Sequence, residues 1–87
     1  MYGWDEGKRQ ANLAKHGVDF AGMDAFEWDT AALDMDEDHA EPRWVAIGFI
    51  GAVLHFVVFT ERGDNIRIIS LRKATRREAH NYVKSQA

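Results

Sequence analysis

No cysteine occurs in the chain, so neither a disulfide nor a thiolate metal site can reinforce the core. Proline occurs once, as Pro42. Long apolar runs are missing too. The longest, Ala52–Phe59, falls far short of the roughly 20 residues that a membrane-spanning helix needs. The opening Met1-Tyr2-Gly3-Trp4-Asp5 turns acidic at once and has no signal-peptide core. These absences predict a soluble, cytoplasmic protein without a membrane segment. With 87 residues, the chain is long enough for one small domain spanning 1–87 and too short for two. A domain of this size buries only about 60–65% of its unfolded surface, so modest stability is expected.

The charge is present but unevenly placed. The formal net charge is −3. Residues 1–41 hold three Lys and Arg against eleven Asp and Glu, whereas residues 42–87 hold eight against three. Such asymmetry between halves suits a charged partner, and the plainer reading is two solvated faces of opposite sign.

Taken in order, Trp4-Asp5-Glu6-Gly7-Lys8 predicts a helix start capped by Asp5, running to about His16, with Gly17 as a left-handed C-cap. Lys8, Asn12 and His16 share one face of this helix, with Lys15 beside it, while Leu13 and Ala14 are left to fix it to the core. Asp19 predicts a cap for a second helix, Phe20 to about Phe26, whose Phe20, Met23 and Phe26 recur every third residue. Ala31–Leu33 reads as a strand or turn, and the acidic stretch Asp34–Pro42 as an exposed loop. From Arg43 the pattern becomes that of strands. Arg43, Val45, Ile47 and Phe49 alternate against Trp44, Ala46, Gly48 and Ile50. Val53–Thr60 is apolar on both faces and predicts a central strand, and Ile66–Leu71 predicts the last. Turns at Gly51-Ala52 and Glu61–Asp64 make the three an antiparallel meander. Thr75-x-x-Glu78 is a capping box opening a final helix that presents Ala79, Tyr82 and Val83 to the sheet. The fold class expected is α+β: a small antiparallel sheet of three to four strands, two N-terminal helices and one C-terminal helix.

Chemistry concentrates in Asn65–Glu78, where Arg67, Arg72, Lys73, Arg76 and Arg77 stand within one strand-to-helix passage. Arginine and lysine in such numbers suit phosphate binding. Strict strand alternation puts Ser70 and Arg72 on one face and Arg67 on the other. Glu78 is a cap residue by position, and a helix N-terminus lowers a carboxyl pKa, which weakens it as a base. His16 belongs to the residue type that ordinarily titrates near neutrality and suits proton transfer. Tyr82 is as much a core candidate as a catalytic one. The acidic stretch lacks the glycine and distant glutamate of a calcium loop, so no metal site is expected. Aromatic and basic residues are not interleaved as in a general RNA-stacking surface.

Three blocks resemble the BrnT family, toxins of type II toxin–antitoxin systems with a RelE-like ribonuclease fold. They are Trp4–Lys8 with Asn12–Phe20, then Glu41–Gly48, then Arg62–Glu78 closed by Tyr82. Tyr2-Gly3 stands where the family more often has a Phe-Glu pair, and Leu71 where a small residue is more usual. The resemblance implies metal-independent RNA cleavage with no cofactor, inhibition of translation, a BrnA-like antitoxin as partner, and operator DNA reached only through that antitoxin. It places Lys15, His16, Arg43, Arg67, Arg72, Glu78 and Tyr82 at the family's polar positions; Lys73, Arg76 and Arg77 are expected RNA contacts by their own charge. In that reading the arginines stabilise phosphorane charge, His16 or Glu78 accepts the 2′-hydroxyl proton, and Lys15 or Tyr82 serves the leaving oxygen. The alternative of another class is a catalytically inactive binding module that acts through an antitoxin complex on operator DNA.

Overall fold

The computed structural model describes all residues from Met1 to Ala87. Its elements are β1 (Tyr2–Trp4), α1 (Glu6–His16), two 3₁₀ segments (Phe20–Ala25 and Trp28–Thr30), β2 (Ala32–Asp36), β3 (Arg43–Ile50), β4 (Val53–Arg62), β5 (Asn65–Lys73) and α2 (Arg76–Ser85). The strands form one sheet in the order β1-β5-β4-β3-β2. Strands β2 to β5 are an antiparallel meander, and β1 adds to β5 in parallel. No helix is long and apolar enough to cross a membrane.

The α+β class and the central place of β4 hold, but the sheet has five strands rather than three to four. Three residues are too few to show alternation, so β1 exists only because β5 offers it an edge. Strand β2 was expected to end near Leu33, yet it continues through Asp34, Met35 and Asp36 before the loop begins. An edge strand tolerates carboxylates on its exposed side, where they also discourage edge-to-edge association. The second helix is a 3₁₀ segment, which fits its apolar spacing: in a 3₁₀ helix residues i and i+3 eclipse one another. Phe20, Met23 and Phe26 are accordingly all buried.

Local signals set the element ends as expected. Asp5 accepts the Lys8 backbone N–H at 3.0 Å, and Asp19 accepts that of Ala21 at 3.0 Å. Gly17 closes α1 at φ 70°, while Gly51 and Gly63 hold positive φ in the two hairpin turns. Thr75 and Glu78 form both halves of the capping box.

One face of the sheet carries Ala46, Val57, Phe59, Ile68 and Leu71 under Phe20, Met23 and Phe26. Gly48 leaves room for this packing, because a Cβ there would stand 2.6 Å from Phe26 Cζ. Trp28 lies edge-on to both Phe26 and Phe59 and donates its indole N–H to the Tyr2 hydroxyl at 2.5 Å. Leu13 and Val83 are not core residues: both are exposed. Helix α1 is held instead through Asn12, and by Arg9, which pairs with Asp19 outside the helix. On α2, Tyr82 alone is buried; it lies edge-on to Phe49, and its hydroxyl donates to the Thr30 carbonyl at 2.7 Å. The opposite face of the sheet is covered only at one end, where α2 sets Tyr82 against Phe49, and the rest of it positions the site.

Candidate functional site

Counting along β5 separates Arg67 from Arg72, but pairing with β4 shows otherwise. Phe56 pairs with Arg72 and Val58 with Ser70, after which the register slips, so that Phe59 pairs with Ile68 and Thr60 with Arg67. Ile69 is the additional residue, a β-bulge without a partner on β4. Phe56, Val58 and Thr60 alternate regularly toward the open face. Their partners Arg72, Ser70 and Arg67 therefore all share that face. The expected split of the two arginines is corrected by a single inserted residue. Meanwhile Ile66 and Ile68 keep facing the core, which strict alternation from Leu71 would not allow.

Arg72 is held in place from two sides. Its guanidinium makes paired hydrogen bonds to Glu78, at 2.7 and 2.8 Å, and lies 4.2 Å above the Phe56 ring. Such a planar two-point pair fixes orientation as well as charge. The Glu78 carboxylate also accepts the Thr75 backbone N–H at 2.8 Å. Arg72, followed by the cap amide, holds the Glu78 pKa down at about 2, and the same pair raises that of Arg72. A carboxylate so stabilised is a poor proton acceptor at neutral pH.

Helix α1 reaches this face along the edge of β5. Lys8, Lys15 and His16 line a cleft of about 290 Å³ with Ile69 and Ser70. The helix is fastened there by Asn12, which the sequence placed on the same helical face as Lys8 and His16. Its amide donates to the Leu71 and Val18 carbonyls at 2.6 and 3.0 Å and accepts the Leu71 N–H at 3.2 Å. Asn12 thus continues the sheet ladder past the point where β1 stops, and it is buried.

A second cavity, of about 340 Å³, opens further along β5 and is lined by Lys8, Arg43, Thr60, Arg62 and Arg67 with Glu41. Glu41 occupies Arg62, both carboxylate oxygens lying 3.3 Å from one guanidinium nitrogen.

The expected residues are therefore distributed unequally. Arg67, Arg72, Lys15 and His16 share the open face and its α1 edge, and Arg43 lies across the sheet on the same face. Tyr82 lies under α2 with its hydroxyl committed to Thr30. Lys73 pairs with His55, on the side opposite Arg72, while Arg76 and Arg77 are exposed in the first turn of α2. Sequence reasoning passed over Asn12 as an anchor, and it passed over Thr60, which looked like an ordinary member of an apolar strand. Neither carries a local signal: Asn12 bonds to groups distant along the chain, and Thr60 is set beside Arg67 only by pairing across strands.

No curated protein matches the chain. The model of a family described as the ribonuclease toxin BrnT of type II toxin–antitoxin systems matches residues 4–78. That match covers β1's last residue through Glu78, including the bulged strand, the Arg72–Glu78 pair and the α1 edge beside them, and so the chain belongs to the BrnT family of ribonuclease toxins.

Proposed function

We propose that this chain is a metal-independent endoribonuclease that cleaves RNA by attack of a 2′-hydroxyl on the adjacent phosphate, inhibiting translation until a BrnA-like antitoxin masks it. The observation that carries this reading is the bulge at Ile69, which gathers Arg67, Ser70 and Arg72 on one open face beside Lys15 and His16. Arg72 neutralises the charge that develops on the phosphorane, while Arg67, further along the same face, holds the RNA chain beside it; donors preorganised in this way usually supply the largest catalytic term. His16 takes the proton as the 2′-oxygen bonds to phosphorus. The P–O5′ bond then breaks, and Lys15 protonates the departing 5′-oxygen. Glu78 serves as the positioning residue of Arg72 and Tyr82 as the anchor of α2, since both groups are already hydrogen-bonded. Operator DNA is reached through the antitoxin.

The test is cleavage of RNA in EDTA by purified, antitoxin-free protein. Cleavage that persists in EDTA and is lost in Arg72→Ala supports the reading, whereas undiminished cleavage by that variant removes Arg72 from it. A second reading, an inactive module that works only within an antitoxin complex, draws on the same commitments of Glu78 and Tyr82, which take two proton carriers out of play. Intact antitoxin binding without RNA cleavage or growth arrest would favour it.

A further inference from the structure

Arg43, Thr60 and Arg67 form one row across the open face. Thr60 pairs directly with Arg67, and Arg43 lies one residue beyond the Trp44–Phe59 pair, opposite Thr60. Thr60 is only 3% exposed, and its hydroxyl oxygen is the one buried side-chain polar atom that finds no hydrogen-bond partner. A buried hydroxyl without a partner is costly in a native protein and calls for an explanation. None of the five ion pairs includes Arg43, Arg67 or Lys8, although all three line the cavity around it. On the far side of Arg67 the row ends at Gly3 of β1, where a Cβ would meet nothing within 4 Å. Glycine there puts no side chain against the arginine.

Three unpaired cations around an orphaned hydroxyl have the composition of an oxyanion site. We infer that the Lys8–Arg43–Thr60–Arg67 cavity binds a phosphodiester of the RNA chain next to the one being cleaved. The anion site stands on its own geometry, while the identity of its ligand as RNA rests on the reading proposed above. Arg67 and Arg72 sit opposite positions of β4 four residues apart, about 13 Å along the strand. The Arg72 end and the Thr60 row, to which Arg67 belongs, therefore hold separate phosphates. On binding, the guanidiniums turn onto the phosphate oxygens and uncover the Thr60 hydroxyl, which donates to the same group.

The test uses the full chain, inorganic phosphate as probe, and sodium chloride to hold ionic strength constant, with acetate in parallel. Phosphate should move the backbone amide resonances of Arg43, Thr60 and Arg67 and raise the melting temperature. Thr60→Val should melt higher than wild type without phosphate, because it removes an unsatisfied buried group, and should respond less to phosphate. Gly3→Glu sets a carboxylate beside Arg67 and should abolish the response. With RNA, both variants should raise KM by about two- to tenfold while kcat holds. Equal responses to acetate and phosphate, or variants that respond like wild type, would overturn the site. A fall in kcat instead of a rise in KM would overturn its assignment to a flanking phosphate. Phosphate binding in a protein that cuts no RNA would leave the site standing and remove the nuclease reading, whereas RNA cleavage insensitive to both variants would do the reverse.

Discussion

Arg72 shows how a residue expected from composition gains a definite role only from its neighbours. Its guanidinium is clamped between Phe56 and Glu78, so Glu78 acts on chemistry through Arg72's orientation. Arg72→Ala should lower kcat by roughly 10²–10³, the usual cost of removing one preorganised donor. Glu78→Gln retains a hydrogen-bond acceptor but loses the charge, and steady-state kinetics should show a smaller loss than Arg72→Ala. A loss as deep as that of Arg72→Ala, with a changed pH profile, would instead assign the proton transfer to Glu78. The capping half of Glu78's role was legible from Thr75-x-x-Glu78, since it involves residues three apart. Its pairing with Arg72 was not, because that contact depends on how the chain bends from β5 into α2. Gly48 is a simpler case of the same kind. Gly48→Ala would press a methyl into the Phe26 ring and should cost about 1–3 kcal/mol in chemical denaturation.

Among the elements, α1 and β5 are joined more specifically than an apolar helix face would require. Leu13 is 40% exposed, and the anchor is Asn12, bonded to both backbone groups of Leu71. Asn12→Ala leaves a buried N–H and C=O unpaired, which should cost about 2–3 kcal/mol. In a domain of this size that lowers the melting temperature by roughly 10–20 °C. The same variant should detach Lys15 and His16 from β5 and reduce RNA cleavage in the fraction still folded. The ends of α1, the capping of the first 3₁₀ segment, the hairpin turns and the opening of α2 were readable, since each depends on a cap or a glycine within a few residues. The three-residue spacing of Phe20, Met23 and Phe26 already carried the 3₁₀ period. Strand β1 and the extension of β2 were not readable, because each is an edge that forms only where a neighbouring strand exposes unpaired backbone.

Across the whole molecule, the uneven charge of the two halves becomes a gradient over the open face. Asp34 and Asp36 of β2 lie beside β3, whereas Arg67 and Arg72 lie on β5 with Lys8 and Lys15 beyond them. RNA binding should therefore weaken with salt despite the net negative charge. A slope of log K against log salt of about −1.4 is expected for the two phosphates held on a single strand. Acid should weaken the fold in a defined window. The Glu78 pKa falls from an ordinary 4.5 to about 2 in the folded protein. The stability it contributes is complete above about 4.5 and drains as pH drops toward 2. Glu6, lowered to about 2 by Arg9, acts in the same direction, but it is exposed and more readily screened by salt. Melting temperatures measured across this range should fall in wild type and fall less in Arg72→Ala, which removes the partner.

The amino-acid sequence by itself determined the helix caps, the turn glycines, the antiparallel meander and the BrnT resemblance, because each is written in residues close together or in fixed order. Only the tertiary structure decided that Arg67 and Arg72 act on one face. That outcome depends on Ile69 standing unpaired against β4, and a one-residue bulge reverses every later side chain without marking the sequence. It also decided that Asn12 would complete a sheet edge and that Thr60 would lie orphaned between two arginines. Both follow from pairing across strands and helices, which local periodicity does not encode.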